Sequence, residues 1–383
     1  MTDKVPVTVL TGFLGAGKTT LLNRVLQEHP ESRWLVIINE FGAVGVDHDL
    51  VVQSEPDTEP EPRFVELSNG CLCCTIRGDL TKTLTDAVWR FSRSGSRWFD
   101  RVVIETTGLA DPAPIVKTLT TQAAVSRRYT LSQIISVLDI PNADSTLGNA
   151  TEAVKQIAVA DTVVLTKADL ASPEQIQETK QRVRRINPAA QLVDNVHANS
   201  FSPHALFVAS RFQPGDSSAE VADWLSHEVF ETSHDHDHDH DHDHDHDHHH
   251  GHHGHDVNRH DENIRAVCLT VNEPLSVKVF DAWFRQLSDL RGEDLLRVKG
   301  ILNVAELQRP MVINGVQHVW HEPEILPQWP SDSRSSKIVF IVRNLSLEAL
   351  REALSSIRES FHHAEWTGLD RREVETITAK APR

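Results

Sequence analysis

Little in this sequence points to a membrane, to secretion or to nucleic acid. No run of 18 apolar residues occurs among its 383, so no bilayer-spanning helix is expected. The opening stretch, MTDKVPVTVLTGFLGAG, lacks the basic segment and small-residue cleavage site of a signal peptide, and a cytoplasmic location is expected. Positive charge is short: 38 Lys and Arg stand against 55 Asp and Glu, a formal net charge of −17. Nucleic-acid binders present a basic face, so that class is disfavoured. Eight Asp and no Lys or Arg fall in 234–256, and removing those eight charges still leaves −9 elsewhere. Such a balance suits cations and other proteins. Cysteine is scarce too, with four residues in all, yet Cys71, Cys73 and Cys74 crowd into SNGCLCCTIRGDL (68–80). A reducing compartment and the strain of bridging adjacent Cys73 and Cys74 both disfavour a disulfide.

What remains is ordinary globular composition, 39% hydrophobic and 24% charged, long enough for two domains. From Val5 to about Gln213, apolar strands alternate with turn signals and helical stretches. Candidate strands are 5–10, 34–39, 101–105, 134–139, 162–166 and 205–209; candidate helices include 83–94 and 173–186. Several strands are continuous Val/Ile/Leu runs, the mark of parallel strands buried on both faces. The expected class is α/β, a doubly wound, mostly parallel sheet over 1–213. A His/Asp-rich tether is expected over 214–262, since HDHDHDHDHDHDHDHHHGHHGHD cannot bury a core. A smaller α+β domain is expected over 263–383, with strands in IRAVCLTV, LLRVKGILNV, PMVINGVQHVWHE and KIVFIVRN. Its helices are LSVKVFDAWFRQLSDL and SLEALREALSSIRESF.

GFLGAGKTT fits G-x-x-x-x-G-K-[ST], following a strand and opening a helix. Gly12, Phe13, Leu14, Gly15, Ala16 and Gly17 turn backbone N–H groups toward phosphate oxygens, and the helix start at Lys18, Thr19 and Thr20 adds its dipole. Lys18 reaches the β and γ phosphates, and the Thr19 hydroxyl ligates Mg²⁺. IETTG ends a buried strand with Glu105, suited to Mg²⁺ through water, and with Gly108, whose N–H can meet a γ-phosphate. The competing reading of Glu105 is a buried acidic cap at a strand end. VVLTKADL offers Lys167 to cover a base and Asp169 to accept from guanine donors. Thr166 stands where guanine motifs usually carry Asn, which loosens the case for guanine. In this order the three motifs favour GTP over ATP.

Three thiols at C-x-C-C spacing can offer two or three soft ligands to one ion, with Glu40, a His or water completing a zinc site. The alternative is small apolar thiols in a core, the role expected of Cys268. GFLGAGKTTLLN, NEFGAVGVD, NGCLCC, IETTGLADP and TKAD, with LLRVKGILNV and GVQHVWHE further on, resemble the CobW-like P-loop GTPases, metallochaperones and metal-insertase accessory proteins. The resemblance covers nearly everything except the acidic insert near 54–63 and the His tract. It implies GTP and Mg²⁺ at residues 12–19 with Glu105, and guanine at Lys167 and Asp169. It also implies Zn²⁺ or Co²⁺ at Cys71, Cys73 and Cys74, with Glu40 as coupling residue or extra ligand.

Fourteen of 23 His lie between His234 and His260, read here as a metal reservoir or delivery arm. His318 and His321 read as packing or surface residues. The expected function is GTP-dependent delivery of a metal, zinc first, to a metal-requiring client docked by the second domain. No water-positioning group is assigned; Arg77 and Asp79 are the nearest in sequence. Rival readings are a cobalt GTPase serving cobalamin synthesis, a metal buffer without a nucleotide cycle, and a P-loop kinase.

Overall fold

The computed structural model describes residues 4–39, 64–66, 75–93, 96–194, 202–208, 264–289, 294–317, 319–321, 323–329, 334–345, 350 and 364–368. Two sheets organise them. The first contains β1 (Val5–Gly12), β2 (Trp34–Asn39), β3 (Phe64–Glu66), β6 (Arg101–Thr106), β7 (Tyr129–Asp139), β8 (Thr162–Thr166) and β9 (Gln191–Val193). A short hairpin, β4 (Ser92–Arg93) with β5 (Ser96–Arg97), interrupts the order. The sheet runs β3-β2-β6-β1-β7-β8-β9 and every pairing in it is parallel. Its central strands are sealed on both faces, which is why they read as unbroken Val/Ile/Leu runs instead of alternating ones.

Helices Lys18–Glu28, Thr75–Arg90, Ala113–Thr121, Thr151–Val159 and Pro173–Ile186 cover the two faces. The last has the bounds its sequence implies. Ser172 caps it, accepting from the Gln175 backbone while the Gln175 side chain accepts from the Ser172 N–H, and Pro173 occupies the first turn. The helix expected at 83–94 begins earlier, at Thr75, and stops at Arg90 before the hairpin.

One expected strand is wrong. Residues 205–208 of the expected strand 205–209 belong to the helix Pro203–Val208, not to the sheet. A short apolar run cannot by itself separate a strand from a buried helical turn. Here Pro203 opens the turn, the Ser202 hydroxyl accepts from the Ala205 N–H at 3.4 Å, and Leu206 and Phe207 enter the core beside Trp34. The strands β3 and β9, three residues each, carried too little pattern to be expected.

The second sheet holds β10 (Ile264–Val271), β11 (Leu295–Leu302), β12 (Met311–Val316), β13 (Val319–Trp320), β14 (Glu324–Ile325), β15 (Ser336–Arg343) and β16 (Ala364–Gly368). Its order is β13-β12-β11-β15-β10-β16, with β14 beside β12, and all pairings are antiparallel. Alternation along β10 sends Val267, Leu269 and Val271 toward helix Val277–Asp289, where Phe280, Trp283 and Leu287 pack. Ala266 and Cys268 face the other way and join the core of the first sheet. Cys268 is therefore the buried core residue expected of it, and burial pushes its thiol up to about 12. Of the second expected helix in this region only Leu350 is among the described residues, and it is buried.

Between the sheets lies a buried ionic cluster. Asp161, at the start of β8, accepts the Ile134 N–H at 2.9 Å, the Lys299 ammonium at 3.0 Å and the Arg297 guanidinium. Arg297 also donates to the Val159 carbonyl at 3.1 Å. Burial alone would raise the Asp161 carboxyl, but Arg297 and Lys299 outweigh it and hold the group far below the usual carboxylate range. Asp161→Asn would leave two buried cations without their counter-charge, a change that costs about 3–5 kcal/mol in such settings. Urea unfolding should show the midpoint falling by that free energy.

His321, on the far side of this cluster, donates its backbone N–H to Asn314 at 3.0 Å. Its Nε2 is buried without a hydrogen-bond partner among the described residues, so it is a packing residue. Its companion His318 lies outside the described residues. Burial first, then the Arg297 charge, push the His321 imidazole down to about 4. The unfolded chain takes this proton near pH 6.5 while the folded chain resists until about pH 4, so acid favours unfolding across that window. His321→Gln should flatten the fall in stability over those pH values by on the order of 2–3 kcal/mol, read as the difference between variant and parent unfolding curves.

Candidate functional site

The first sheet's carboxyl edge gathers the nucleotide motifs. β1 ends at Gly12 with φ 140°, and a Cβ built there would lie 2.3 Å from the Val137 carbonyl oxygen. No other residue fits without moving β7, so the loop from Gly12 to Gly17 turns sharply against its neighbour strand. Lys18 opens the following helix and its ammonium donates to the carbonyls of Gly12 at 3.0 Å and Phe13 at 3.2 Å. The charge is thus centred over the loop. Leu14 is exposed and Ala16 buried.

Thr19 meets Glu105 directly. Its hydroxyl donates to Glu105 Oε1 at 2.6 Å, although 86 residues separate the two. Register explains the meeting, because Leu10 of β1 pairs with Glu105 of β6, so both strands deliver their ends to one place. A hydroxyl and a nearly buried carboxylate form a hard oxygen set of the kind Mg²⁺ prefers. Beside them Thr106 donates to Thr11 at 2.9 Å and stitches the same two strands.

The TKAD segment closes the other side. Thr166 donates to the Ala16 carbonyl at 2.7 Å and to Leu138 at 3.3 Å, tying β8 to the phosphate loop. Lys167 sits in the left-handed region at φ 57°. Its ammonium donates to the Gly15 carbonyl at 3.0 Å and pairs with the Asp139 carboxylate. Asp139 in turn accepts from the Asn142 backbone at 3.2 Å and side chain at 2.9 Å. Asp169 stands exposed on the turn Ala168–Leu170 that follows. Gly108 is pressed against the phosphate loop: a Cβ there would lie 2.5 Å from the Leu14 nitrogen.

Two residues of this edge escaped the sequence reading. Asp139 was visible only as the last residue of a strand, where an acid at a buried strand's carboxyl end was the available signal. Gln156 was hidden as one polar residue on the buried face of an amphipathic helix. Glu40, Cys71, Cys73, Cys74 and the tract 234–260 lie outside the described residues. Asn39, the residue before Glu40, ends β2 beside Thr106, and Glu66 and Thr75 bracket the cysteine segment. Among the described residues no group of three or more His, Cys, Asp or Glu is arranged to hold a metal ion. Nor is any helix among them long and apolar enough to cross a membrane. Asp79 is half-buried within helix Thr75–Arg90, remote in sequence from the phosphate loop.

Residues 6–194 match the family description "CobW/HypB/UreG, nucleotide-binding domain", and 264–358 match "Cobalamin synthesis protein cobW C-terminal domain". A relative named zinc chaperone YjiA, from Escherichia coli strain K12, is 30% identical over 93% of this chain and 100% of its own length. The chain belongs to the CobW family. A second relative, named zinc-regulated GTPase metalloprotein activator 1, from Saccharomyces cerevisiae, is 27% identical over 93% of this chain and 84% of its own length. The crystal structure of Zn(II)-bound YjiA GTPase from E. coli superposes with a TM-score of 0.60 at 25% identity, covering 93% of this chain and 99% of that one.

The Thr19–Glu105 contact makes a direct forecast. Thr19→Ala should cost about tenfold or more in guanine-nucleotide affinity when Mg²⁺ is present, while affinity measured with a chelator in place of Mg²⁺ stays unchanged. A fluorescent-nucleotide titration under both conditions reads it.

Proposed function

We propose that the protein is a GTP-dependent zinc metallochaperone: it binds zinc as cargo, hydrolyses GTP, and passes the ion to a client protein. The observation that carries this is the joint placement of Lys18, Thr19 and Glu105 at one sheet edge, in a chain similar over 93% of its length to a protein named a zinc chaperone. In this reading residues 1–213 are the GTPase unit, 214–262 the tether with its His/Asp tract, and 263–383 the unit that docks the client.

Each residue then has a task. The loop from Gly12 to Thr20 cradles the phosphates, and Lys18 carries positive charge to the β and γ oxygens. Thr19 and Glu105 would hold Mg²⁺, which when bound would neutralise charge on the phosphate oxygens. Gly108 offers its N–H to the γ-phosphate. Thr166 fixes the guanine loop to the phosphate loop in place of the usual Asn, so Lys167 and Asp169 can still read the base. Asp139 aligns Lys167. Cys71, Cys73 and Cys74 hold the zinc as thiolates, with Glu40 as coupling residue or extra ligand. In this reading bound GTP would favour the metal-holding state of these residues, and hydrolysis to GDP and phosphate would release it.

Cobalt is the second reading of the cargo, favoured by the match of 264–358 to a cobalamin-synthesis domain. The two ions share tetrahedral geometry, so thiol spacing does not separate them.

The test is a Zn²⁺ and Co²⁺ titration against a competing chelator, with and without Mg²⁺ and a non-hydrolysable GTP analogue. It uses the full chain and a variant lacking 234–260, which removes the imidazoles that compete for metal. The expected result is a gain in zinc affinity with nucleotide of at least about tenfold, lost in Cys73→Ser. Equal affinity in both states would mark a metal buffer, and a tighter Co²⁺ complex would move the cargo to cobalt.

A further inference from the structure

Gln156 has no place in the nucleotide motifs, yet it reaches the segment that follows Glu105. It lies fully buried on helix Thr151–Val159. Its Nε2 donates to two carbonyls of one short stretch, Gly108 at 3.1 Å and Ala110 at 3.0 Å. Both partners accept only, so the NH₂ must face them and the amide's orientation is fixed. The same stretch is pinned from the opposite side, since Gly108 lies against the Leu14 backbone too closely for any Cβ. Gly108 is therefore held between the phosphate loop and Gln156.

The helix that carries Gln156 is itself anchored. Asn187 Nδ2 donates to the carbonyls of Ile157 at 2.8 Å, Ala158 at 3.2 Å and Ala160 at 2.9 Å. Arg297, from the second sheet, donates to Val159 at 3.1 Å. Four successive carbonyls at the helix end are thus capped by partners from elsewhere in the fold. Gln156 is a fixed post, and a displacement of Gly108 breaks both of its bonds. Its Oε1 is buried and has no hydrogen-bond partner among the described residues, an acceptor poorly suited to a purely structural glutamine.

We propose that Gln156 is the positioning residue that sets Gly108 for the γ-phosphate, and so carries a large part of the preference for GTP over GDP. The proposal rests on the reading of Gly108 as a γ-phosphate contact. GDP lacks that phosphate and makes no demand on the position of Gly108. GTP does, and the amide clamp supplies the order in advance, so the nucleotide need not spend binding energy on ordering the stretch.

The full-length protein and two variants, Gln156→Met and Gln156→Glu, should be titrated with GDP and with a non-hydrolysable GTP analogue, both with Mg²⁺. Methionine keeps the volume and removes the donor. The expected result is a loss of about tenfold in affinity for the GTP analogue with GDP affinity unchanged, which also reports that the variant is folded. Glutamate keeps the size and donates only when protonated, so its preference for the GTP analogue should recover as the pH falls. A merely structural glutamine would weaken both nucleotides together and give no such pH profile. Equal losses for both, or none for either, would overturn the proposal while leaving guanine-nucleotide binding intact. Failure of the parent protein to bind either nucleotide would instead overturn the GTPase reading, and this inference with it.

Discussion

Among the described residues, the candidate nucleotide groups lie at or just beyond the carboxyl ends of parallel strands, and that constraint organises everything else. Parallel pairing requires each crossover to travel back outside the sheet, so the strands must be buried on both faces and their ends must converge at one edge. Gly12, Glu105, Asp139 and Thr166 are the ends, or next to the ends, of β1, β6, β7 and β8. Those four strands are contiguous in the sheet. Contacts that span much of the sequence, such as Thr19 with Glu105 and Thr166 with Ala16, are consequences of register.

The second sheet lies against helices Ala113–Thr121, Thr151–Val159 and Pro173–Ile186. Its inward face shares an apolar core with the first sheet, and within that core Asp161, Arg297 and Lys299 form a buried charge cluster. Charges so far from water are stable only with their partners in place, which makes the relative placement of β8 and β11 specific as well as favourable. Helix Thr151–Val159 ends at this cluster and presents Gln156 to Gly108 near its middle. The same helix thus touches the stretch after Glu105 at one point and the second sheet at another.

The two metal chemistries separate by donor type. Thr19 and Glu105 are hard oxygens suited to Mg²⁺, while the C-x-C-C thiols are soft donors suited to zinc or cobalt. Donor sets of such different hardness would not compete for the same ion.

The sequence by itself determined the doubly wound parallel class, the phosphate loop, and the partnership of IETTG and TKAD with it, because buried parallel strands and glycine-rich turns leave strong local patterns. It also marked Cys268 as core and delimited helix Pro173–Ile186, whose capping box at Ser172 and Gln175 emerged with the fold. Tertiary structure decided what local pattern does not encode. The run 205–208 became a helical turn because Phe207 and Leu206 were needed beside Trp34, and β3 and β9 exist only as partners of β2 and β8. Asp139 and Gln156 gained their roles from groups tens of residues away. Asp161, Arg297 and Lys299 were three unremarkable charges until folding removed them from water together. An isolated side chain carries its chemistry in its identity, but a buried charge or amide acquires a function only from the partners that packing sets around it.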